Sequence, residues 1–130
     1  MSDGQLSDDE IVFRRIPPGI DFFTEPDRVS TNNFRLDRKR GDVGLSVYRK
    51  SIVSANEVLN KPDAVPGSRL TLARVGDIRA LHGGDGNYLR LDVVVVDDEL
   101  DPGHAEIRGP ELGVLSRSAG KALRDLFKLI

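Results

Sequence analysis

The sequence predicts an α+β fold, with a single mixed or antiparallel sheet of about five or six strands and a C-terminal helix packed on it. Short runs of β-branched and aromatic residues recur along the chain, separated by turns that contain Pro or Gly. An amphipathic helical pattern closes the chain. Its 130 residues are close to the commonest size of one domain, so we expect one hydrophobic core.

The composition restricts the class of protein. With 38% hydrophobic and 31% charged residues, the chain has the proportions of apolar and charged residues that are typical of a globular domain. The absence of cysteine excludes disulfides, thiolate metal sites and a cysteine nucleophile. A formal charge of −2 provides no overall attraction to nucleic acid or to an anionic membrane. The acidic N-terminus and the lack of a long apolar run predict a cytoplasmic protein that does not enter a membrane.

The N-terminal part of the domain begins with one short strand. Residues 1–10 are polar and are expected to form a mobile tail, which leaves residues 11–130 as the single domain. Residues 11–16 form a β-branched run that a Pro-Pro-Gly turn ends. Arg14 and Arg15 are consecutive, so they point to opposite faces of this strand and one of them is expected to point inward.

Two further strands and a short helix are predicted next. Residues 29–36 alternate loosely between apolar and polar and indicate a second strand, followed by a charged turn at 37–42. Residues 44–48 indicate a third strand. Ser54 and Glu57 then have the spacing of a capping box, which predicts the start of a helix.

The second half of the chain contains the remaining predicted strands. Residues 70–75 alternate like a half-buried strand, and 104–108 form another short strand. The run at 88–97 is the most apolar of the chain, and we therefore expect it at the centre of the sheet. The glycine-rich segment at 82–87, which precedes it, is expected to be a tight turn.

Helical patterns follow two of these segments. Residues 76–81 can form one helical turn, and 116–129 are predicted to form the C-terminal helix. Its apolar residues recur at three- and four-residue spacings and predict a face buried on the sheet; they are Leu115, Ala119, Ala122, Leu123, Leu126 and Ile130. Its basic residues are expected to face solvent; they are Arg117, Lys121, Arg124 and Lys128.

No complete catalytic motif is present. A Ser-His-Asp hydrolase could use only His82 or His104 as its base, and the sequence has no Gly-x-Ser-x-Gly elbow. The glycine-rich turn at 83–87 lacks the Lys and Ser/Thr of a phosphate-binding loop. The acidic residues near the end of one strand lack the spacing of a calcium loop and indicate a solvated turn; they are Asp92, Asp97, Asp98, Glu99 and Asp101. We therefore predict no metal site.

Basic residues form a second group of interest. They cluster in a turn, at Arg35, Arg38, Lys39 and Arg40, and in the C-terminal helix. Sequence-specific RNA recognition relies heavily on aromatic stacking, but the chain has only five Phe, two Tyr and no Trp. The basic residues therefore predict a solubilising surface and do not favour a nucleic-acid partner.

Several short motifs occur together along the chain. They are Val-Phe-Arg-Arg-Ile-Pro at 12–17, Ser-x-x-x-Phe at 30–34, Leu-Ser-Val-Tyr at 45–48 and Pro-Gly-His-Ala-Glu-Ile at 102–107. In this combination the chain resembles a family of small uncharacterised bacterial proteins. That family has no assigned activity, so the resemblance implies a shared fold and no chemistry.

A more remote resemblance is to ADP-ribosyltransferase domains, including the RES toxins that consume NAD. In those domains an early-strand Arg, a later Ser or Tyr and a late Glu surround the dinucleotide. The resemblance implies Arg14 or Arg15 as the phosphate clamp, Ser30 or Tyr48 in the nicotinamide pocket, and Glu106 as the residue that stabilises the oxocarbenium charge. One departure is that His104 stands where the family usually has Glu or Gln.

Each of these residues also has a structural interpretation. An Arg on a strand often pairs with a carboxylate, and a buried Tyr often keeps its hydroxyl at the rim of a core. A Ser before Asn commonly begins a turn, and His104 after Pro-Gly is suited to bond the backbone at the start of a strand. The sequence leaves both interpretations open.

Taken together, the residues predict a non-enzymatic protein-binding or accessory module of a bacterial operon. A protein partner is expected, with no cofactor and no committed catalytic residue. The alternative is a small NAD-using transferase or hydrolase, which would use the residues named for the remote resemblance. The sequence identifies neither the partner nor the oligomeric state.

Overall fold

The computed structural model describes residues 6–96 and 99–130 of the chain. The strands are β1 (Ile11–Ile16), β2 (Phe23–Glu25), β3 (Arg28–Val29), β4 (Leu45–Arg49), β5 (Arg69–Arg74), β6 (Asp92–Val95), β7 (His104–Arg108) and β8 (Lys128–Leu129). The helices are α1 (Ala55–Leu59), α2 (Val75–Arg79) and α3 (Arg117–Leu126), and 3-10 turns form at Thr31–Phe34 and Arg38–Arg40. The predicted α+β fold class is confirmed.

Six of the strands form one antiparallel sheet in the order β6-β7-β4-β1-β5-β8. Strand β1 lies inside it and pairs with β4 on one side and with β5 on the other. Strands β2 and β3 form a separate two-stranded sheet. Of the two predicted sheet types, the antiparallel one is therefore the one observed.

The two faces of the main sheet carry cores of different size. The larger core packs strand residues such as Val12, Val47 and Ile107 against helical residues such as Ile78 and Leu123. The smaller core lies on the opposite face, under α1 and its connecting loops, and consists of Phe13, Tyr48, Val53, Val58 and Leu70. Because β-strand side chains alternate between faces, consecutive residues of β1 serve different cores.

Local capping explains where two helices begin. The Ser54 hydroxyl accepts the amide of Glu57, and the Glu57 carboxylate accepts the amide of Ser54, which confirms the predicted capping box. At the start of α3, the Ser116 hydroxyl accepts the amide of Ala119 at 3.1 Å. These bonds satisfy amides that have no partner within the helix.

Three local predictions were wrong. Half of the strand predicted at 29–36, Thr31–Phe34, is a 3-10 turn, because the Ser30 hydroxyl caps the amide of Asn32. The apolar segment at 88–97 contributes β6, which lies at the edge of the sheet and not at its centre. The C-terminal helix ends at Leu126, after which residues 128–129 pair with β5 as a strand.

The described part of the segment before β1, residues 6–10, is attached to the domain. Leu6 is buried in the larger core. Asp8 pairs with Arg79, and Asp9 pairs with Arg74. Residues 1–5 of the predicted tail lie outside the described residues.

None of the helices within residues 6–96 and 99–130 is long and apolar enough to cross a membrane. The longest, α3, has ten residues.

Candidate functional site

Arg14 lies on the face of the larger core. Its guanidinium donates to the Asn33 carbonyl at 2.9 and 2.6 Å and to the Ser46 carbonyl at 2.6 Å. It also lies 5.6 Å from the centre of the Phe34 ring. Burial lowers the pKa of Arg14 to about 10, and the nearby Asp42 carboxylate acts in the opposite direction. Arg14 remains protonated at neutral pH and fastens the first 3-10 turn to the sheet.

Ser30 is on the same side of the molecule as Arg14. It is buried, and its hydroxyl accepts the Asn32 amide at 3.1 Å. Its carbonyl accepts the Asn33 side-chain amide at 3.0 Å. Ser30 therefore shapes the turn whose Asn33 carbonyl holds Arg14.

Arg15 points to the opposite face, as the alternation along β1 predicts. Its guanidinium contacts both carboxylate oxygens of Asp63 at 3.0 Å. It also lies 5.6 Å from the centre of the Tyr48 ring. The pair ties β1 to the loop that follows α1.

Tyr48 is the centre of a polar cluster at this face. Its hydroxyl donates to Asp101 at 3.0 Å, and Lys61 contacts the other oxygen of the same carboxylate at 2.6 Å. The Lys61 ammonium lies 4.8 Å from the centre of the Tyr48 ring. Burial, with the bond to Asp101, raises the pKa of Tyr48 above its ordinary value.

His104 lies beside Tyr48, with their ring centres 5.5 Å apart. Its Nε2 is 3.1 Å from the Ser46 hydroxyl, and its Nδ1 is 3.8 Å from Asp101. This order of groups is that of a Ser-His-Asp hydrolase. However, 3.8 Å exceeds a hydrogen-bond length, and Tyr48 already donates to the same Asp101 oxygen. The geometry therefore does not form a working triad.

Glu106 shares this face of the sheet but has a different partner. Ser46 is its cross-strand neighbour. Its carboxylate accepts two bonds from Arg108, at 2.8 and 3.0 Å. The structure thus places Arg15, Tyr48, His104 and Glu106 on one face of the sheet, and it places Arg14 and Ser30 on the other side.

The acidic residues in and after β6 do not form a single cluster among the described residues. Asp92 pairs with Arg79 at 2.8 Å, and Asp101 binds Lys61 and Tyr48. Asp97 and Asp98 lie outside the described residues. Among residues 6–96 and 99–130, no group of three or more His, Asp or Glu is placed to hold a metal ion.

A pocket of about 620 Å³ lies between α3 and the first 3-10 turn. Its lining residues are Thr31, Phe34, Arg35, Leu36, Gly113, Leu115, Ser116, Arg117, Gly120, Lys121 and Arg124. The lining combines four cationic residues with aliphatic ones, and none of the described residues that line it is acidic. We call this the cationic pocket.

Among the described residues, three of its four cations have no counterion. Arg124 contacts the Asp125 carboxylate at 2.7 Å. By contrast, Arg35, Arg117 and Lys121 are exposed, and they form no ion pair with any carboxylate in the described part of the chain. Within the described part of the chain, the cationic pocket therefore holds three cationic side chains that no ion pair neutralises.

Close packing of α3 against the first 3-10 turn builds this pocket. A Cβ on Gly120 would lie only 3.0 Å from the Phe34 carbonyl oxygen, so glycine permits the approach. Arg117, Lys121 and Arg124 recur at four- and three-residue spacings along one side of α3. Arg35 directly follows the 3-10 turn and so reaches the pocket from its opposite wall.

An exposed aliphatic patch adjoins the cationic pocket. It consists of Val43, Leu112 and Val114, which are 40%, 65% and 39% exposed. The Gly113 amide donates to the Val43 carbonyl at 3.3 Å, which brings the two segments together. Gly113 also lines the cationic pocket. The exposed aliphatic residues and the pocket residue Gly113 are thus neighbours along this part of the backbone.

Sequence reasoning recognised the basic stripe of α3 and the basic residues near Arg35 as separate groups. It assigned both to a solubilising surface. The spacing along α3 was visible, whereas the meeting of α3 with Arg35 depends on a tertiary contact. The Arg38 side chain lies outside the described part of this region.

Comparison of the chain with family models, with curated proteins and with solved structures finds no match.

Proposed function

We propose that the chain is a non-enzymatic protein-binding module that docks a partner at the cationic pocket and the adjoining aliphatic patch. The observation that carries the proposal is a set of three cations, Arg35, Arg117 and Lys121, that line one pocket beside exposed aliphatic side chains and have no ion pair among the described residues. The partner segment would present acidic side chains next to apolar ones. We further propose an accessory role in the bacterial cytoplasm.

The arrangement of charge supports a binding role. Arg117 and Lys121 are four residues apart on α3, and like charges at this spacing destabilise a helix by a few tenths of a kcal/mol. Arg35 adds a third positive charge at the same pocket. Sites that depart from local stability rules are commonly functional. An anionic partner would remove this repulsion.

The aliphatic patch favours a protein over a nucleic acid as the partner. Protein interfaces combine apolar contacts with arginine, and their rims are polar. Proteins that bind single-stranded nucleic acids commonly stack the bases on exposed aromatic rings. The aromatic residue of the pocket lining, Phe34, is buried and offers no such surface.

A defined peptide tests the proposal. We expect a fluorescent peptide of alternating Glu and Leu to bind the protein, as measured by fluorescence anisotropy at physiological ionic strength. The triple variant Arg35→Gln, Arg117→Gln, Lys121→Gln should lose this binding because the counterions of the peptide are removed. The matched control Lys50→Gln changes an exposed lysine outside the pocket and should bind normally.

Two comparisons can overturn the assignment. The variant Leu112→Ser should weaken binding of the Glu-Leu peptide and leave binding of a pure Glu peptide unchanged, because only the former uses the aliphatic patch. A single-stranded oligonucleotide of equal charge should bind more weakly than the Glu-Leu peptide. Tighter binding of the oligonucleotide would instead assign the surface to nucleic acid.

A second candidate is an NAD-using transferase or hydrolase. It is supported by the shared face of Arg15, Tyr48, His104 and Glu106, where Arg15 lies 5.6 Å from the Tyr48 ring centre. Its test is incubation with NAD followed by measurement of released nicotinamide. Release that disappears in Glu106→Gln but persists in Glu25→Gln, an exposed control, would favour this candidate over the binding module.

A further inference from the structure

We infer that the cationic pocket holds a phosphate group, carried by a phosphorylated side chain of the partner segment. This inference rests on the proposed function and specifies the chemistry of the ligand at the same pocket. It starts from the three cations without an ion pair in the described part of the chain and from a pocket lining whose described residues include no acid.

The amount of charge favours phosphate over a single carboxylate. A phosphorylated side chain carries a charge of about −1.5 to −2 at neutral pH, whereas a carboxylate carries one negative charge. Arg35, Arg117 and Lys121 supply three positive charges that no described carboxylate neutralises. One phosphate would compensate more of this charge than one carboxylate can.

The types of donor also match a phosphate. Two of these three cations are arginines, whose planar guanidinium groups bind phosphate oxygens in pairs. Lys121 adds a compact ammonium group. The Thr31 hydroxyl lines the same pocket and has no hydrogen-bond partner among the described residues, so a neutral donor is available as well.

The surroundings favour a phosphate that is attached to a peptide. Leu36 and Leu115 line the pocket together with the cations, and the aliphatic patch adjoins it. A free inorganic phosphate has no apolar part with which to use these surfaces. A peptide carrying a phosphorylated residue next to aliphatic ones can contact both.

The experiment compares three peptides that differ at one position. They share a frame of Glu and Leu residues, with phosphoserine, serine or glutamate at the centre, and their affinities are measured by fluorescence anisotropy. We expect the phosphoserine peptide to bind about tenfold more tightly than the glutamate peptide because of its extra charge and oxygens. The Lys50→Gln protein should keep this preference, and the triple Gln variant should lose it.

The pH dependence provides a second measurement. The second ionisation of a phosphate monoester has a pKa of about 6. The affinity for the phosphoserine peptide should therefore rise as the pH increases through about 6, while the serine peptide should show no matching rise. A phosphoserine affinity that stays constant through this range would contradict recognition of the dianion.

The outcomes separate this inference from the proposed function. Equal affinities for all three peptides, lost together in the triple Gln variant, would overturn the phosphate inference and leave the binding module intact. No binding of any peptide would overturn both. Free inorganic phosphate could instead displace the phosphoserine peptide when both are present at equal concentration. That result would identify a site for the free anion and would overturn the inference that the phosphate is attached to a peptide.

Discussion

The phenol of Tyr48 donates a hydrogen bond of 3.0 Å to Asp101, and this bond ties β4 to the loop that precedes β7. Burial and this bond both favour the neutral phenol, so the pKa of Tyr48 is raised. The ordinary pKa of tyrosine is about 10. In the variant Tyr88→Phe, which leaves Tyr48 as the remaining tyrosine, ultraviolet titration should give a midpoint above this value.

The same shift predicts how stability depends on alkaline pH. The unfolded chain loses its Tyr48 proton near pH 10, whereas the folded chain keeps it, so stability should fall as the pH rises through this range. The variant Tyr48→Phe has no phenol to ionise and should lose this part of the dependence. A Tyr48 midpoint at the ordinary tyrosine value would show that the bond to Asp101 is absent in solution.

The pair between Arg15 and Asp63 predicts an effect at acidic pH. The hydrogen bonds from Arg15 lower the pKa of the Asp63 carboxyl. The resulting stabilisation is present above the unfolded carboxyl pKa, about 3.9, and is lost as the pH falls through the folded pKa. Because the Asp63 side chain is 70% exposed, solvent screening limits the contribution to at most about 1 kcal/mol.

Urea denaturation can measure this contribution. Asp63→Asn should be less stable than the wild type at neutral pH, and the difference should shrink below about pH 4, where the wild-type carboxyl also becomes neutral. Asp21→Asn, at an exposed residue outside any described ion pair, serves as the control and should leave stability unchanged. A constant difference between Asp63→Asn and the wild type at all pH values would contradict the assigned cause.

Leu123 is fully buried in the larger core, where α3 packs. Replacing it with Ala should lower the free energy of unfolding by about 2 to 4 kcal/mol, because it removes buried methyl groups and leaves a cavity. Leu112→Ala, at a residue that is 65% exposed, should change it by less than about 0.5 kcal/mol. Similar melting temperatures for the two variants would mean that α3 does not pack as described.

Gly44 is confined by the neighbouring strand. A Cβ at this position would lie 2.7 Å from the Ile107 carbonyl oxygen and 2.9 Å from Cγ of Arg108. Gly44→Ala should therefore destabilise the protein by about 1 to 3 kcal/mol through overpacking. Gly84 has no atom within 4 Å of its Cβ position, so Gly84→Ala is the matched control. Equal stability of the two variants would show that β4 and β7 can separate at little cost.

The predictable parts of the fold are those that local sequence determines. The run at Ile11–Ile16 is β-branched and ends at consecutive prolines, and its predicted bounds match those of β1. The capping box of Ser54 and Glu57 involves residues three apart, so it could also be identified without a structure. Local hydrogen bonding also explains one failure, because the Ser30 cap converts an apparently alternating segment into a 3-10 turn.

The parts that could not be predicted depend on tertiary contacts. The apolar composition of residues 88–97 predicted a central strand, but β6 lies at the edge of the sheet. Composition does not determine the order of strands. Helix α3 ends at Leu126. After it, the Phe127 ring lies 5.3 Å from the Phe34 ring, and β8 pairs with β5. The cationic pocket was missed for the same reason, because Arg35 and α3 are distant in sequence and meet only in the folded chain.

The position of β1 has a consequence for how the chain folds. Although it is the first strand in the sequence, it lies inside the main sheet, and its partners β4 and β5 begin at Leu45 and Arg69. Every hydrogen-bonded neighbour of β1 must therefore be brought from a distant part of the chain. Sheets with such long-range pairing fold in milliseconds to seconds, more slowly than helical bundles. During synthesis, both edges of β1 stay unpaired until its partner strands have emerged from the ribosome.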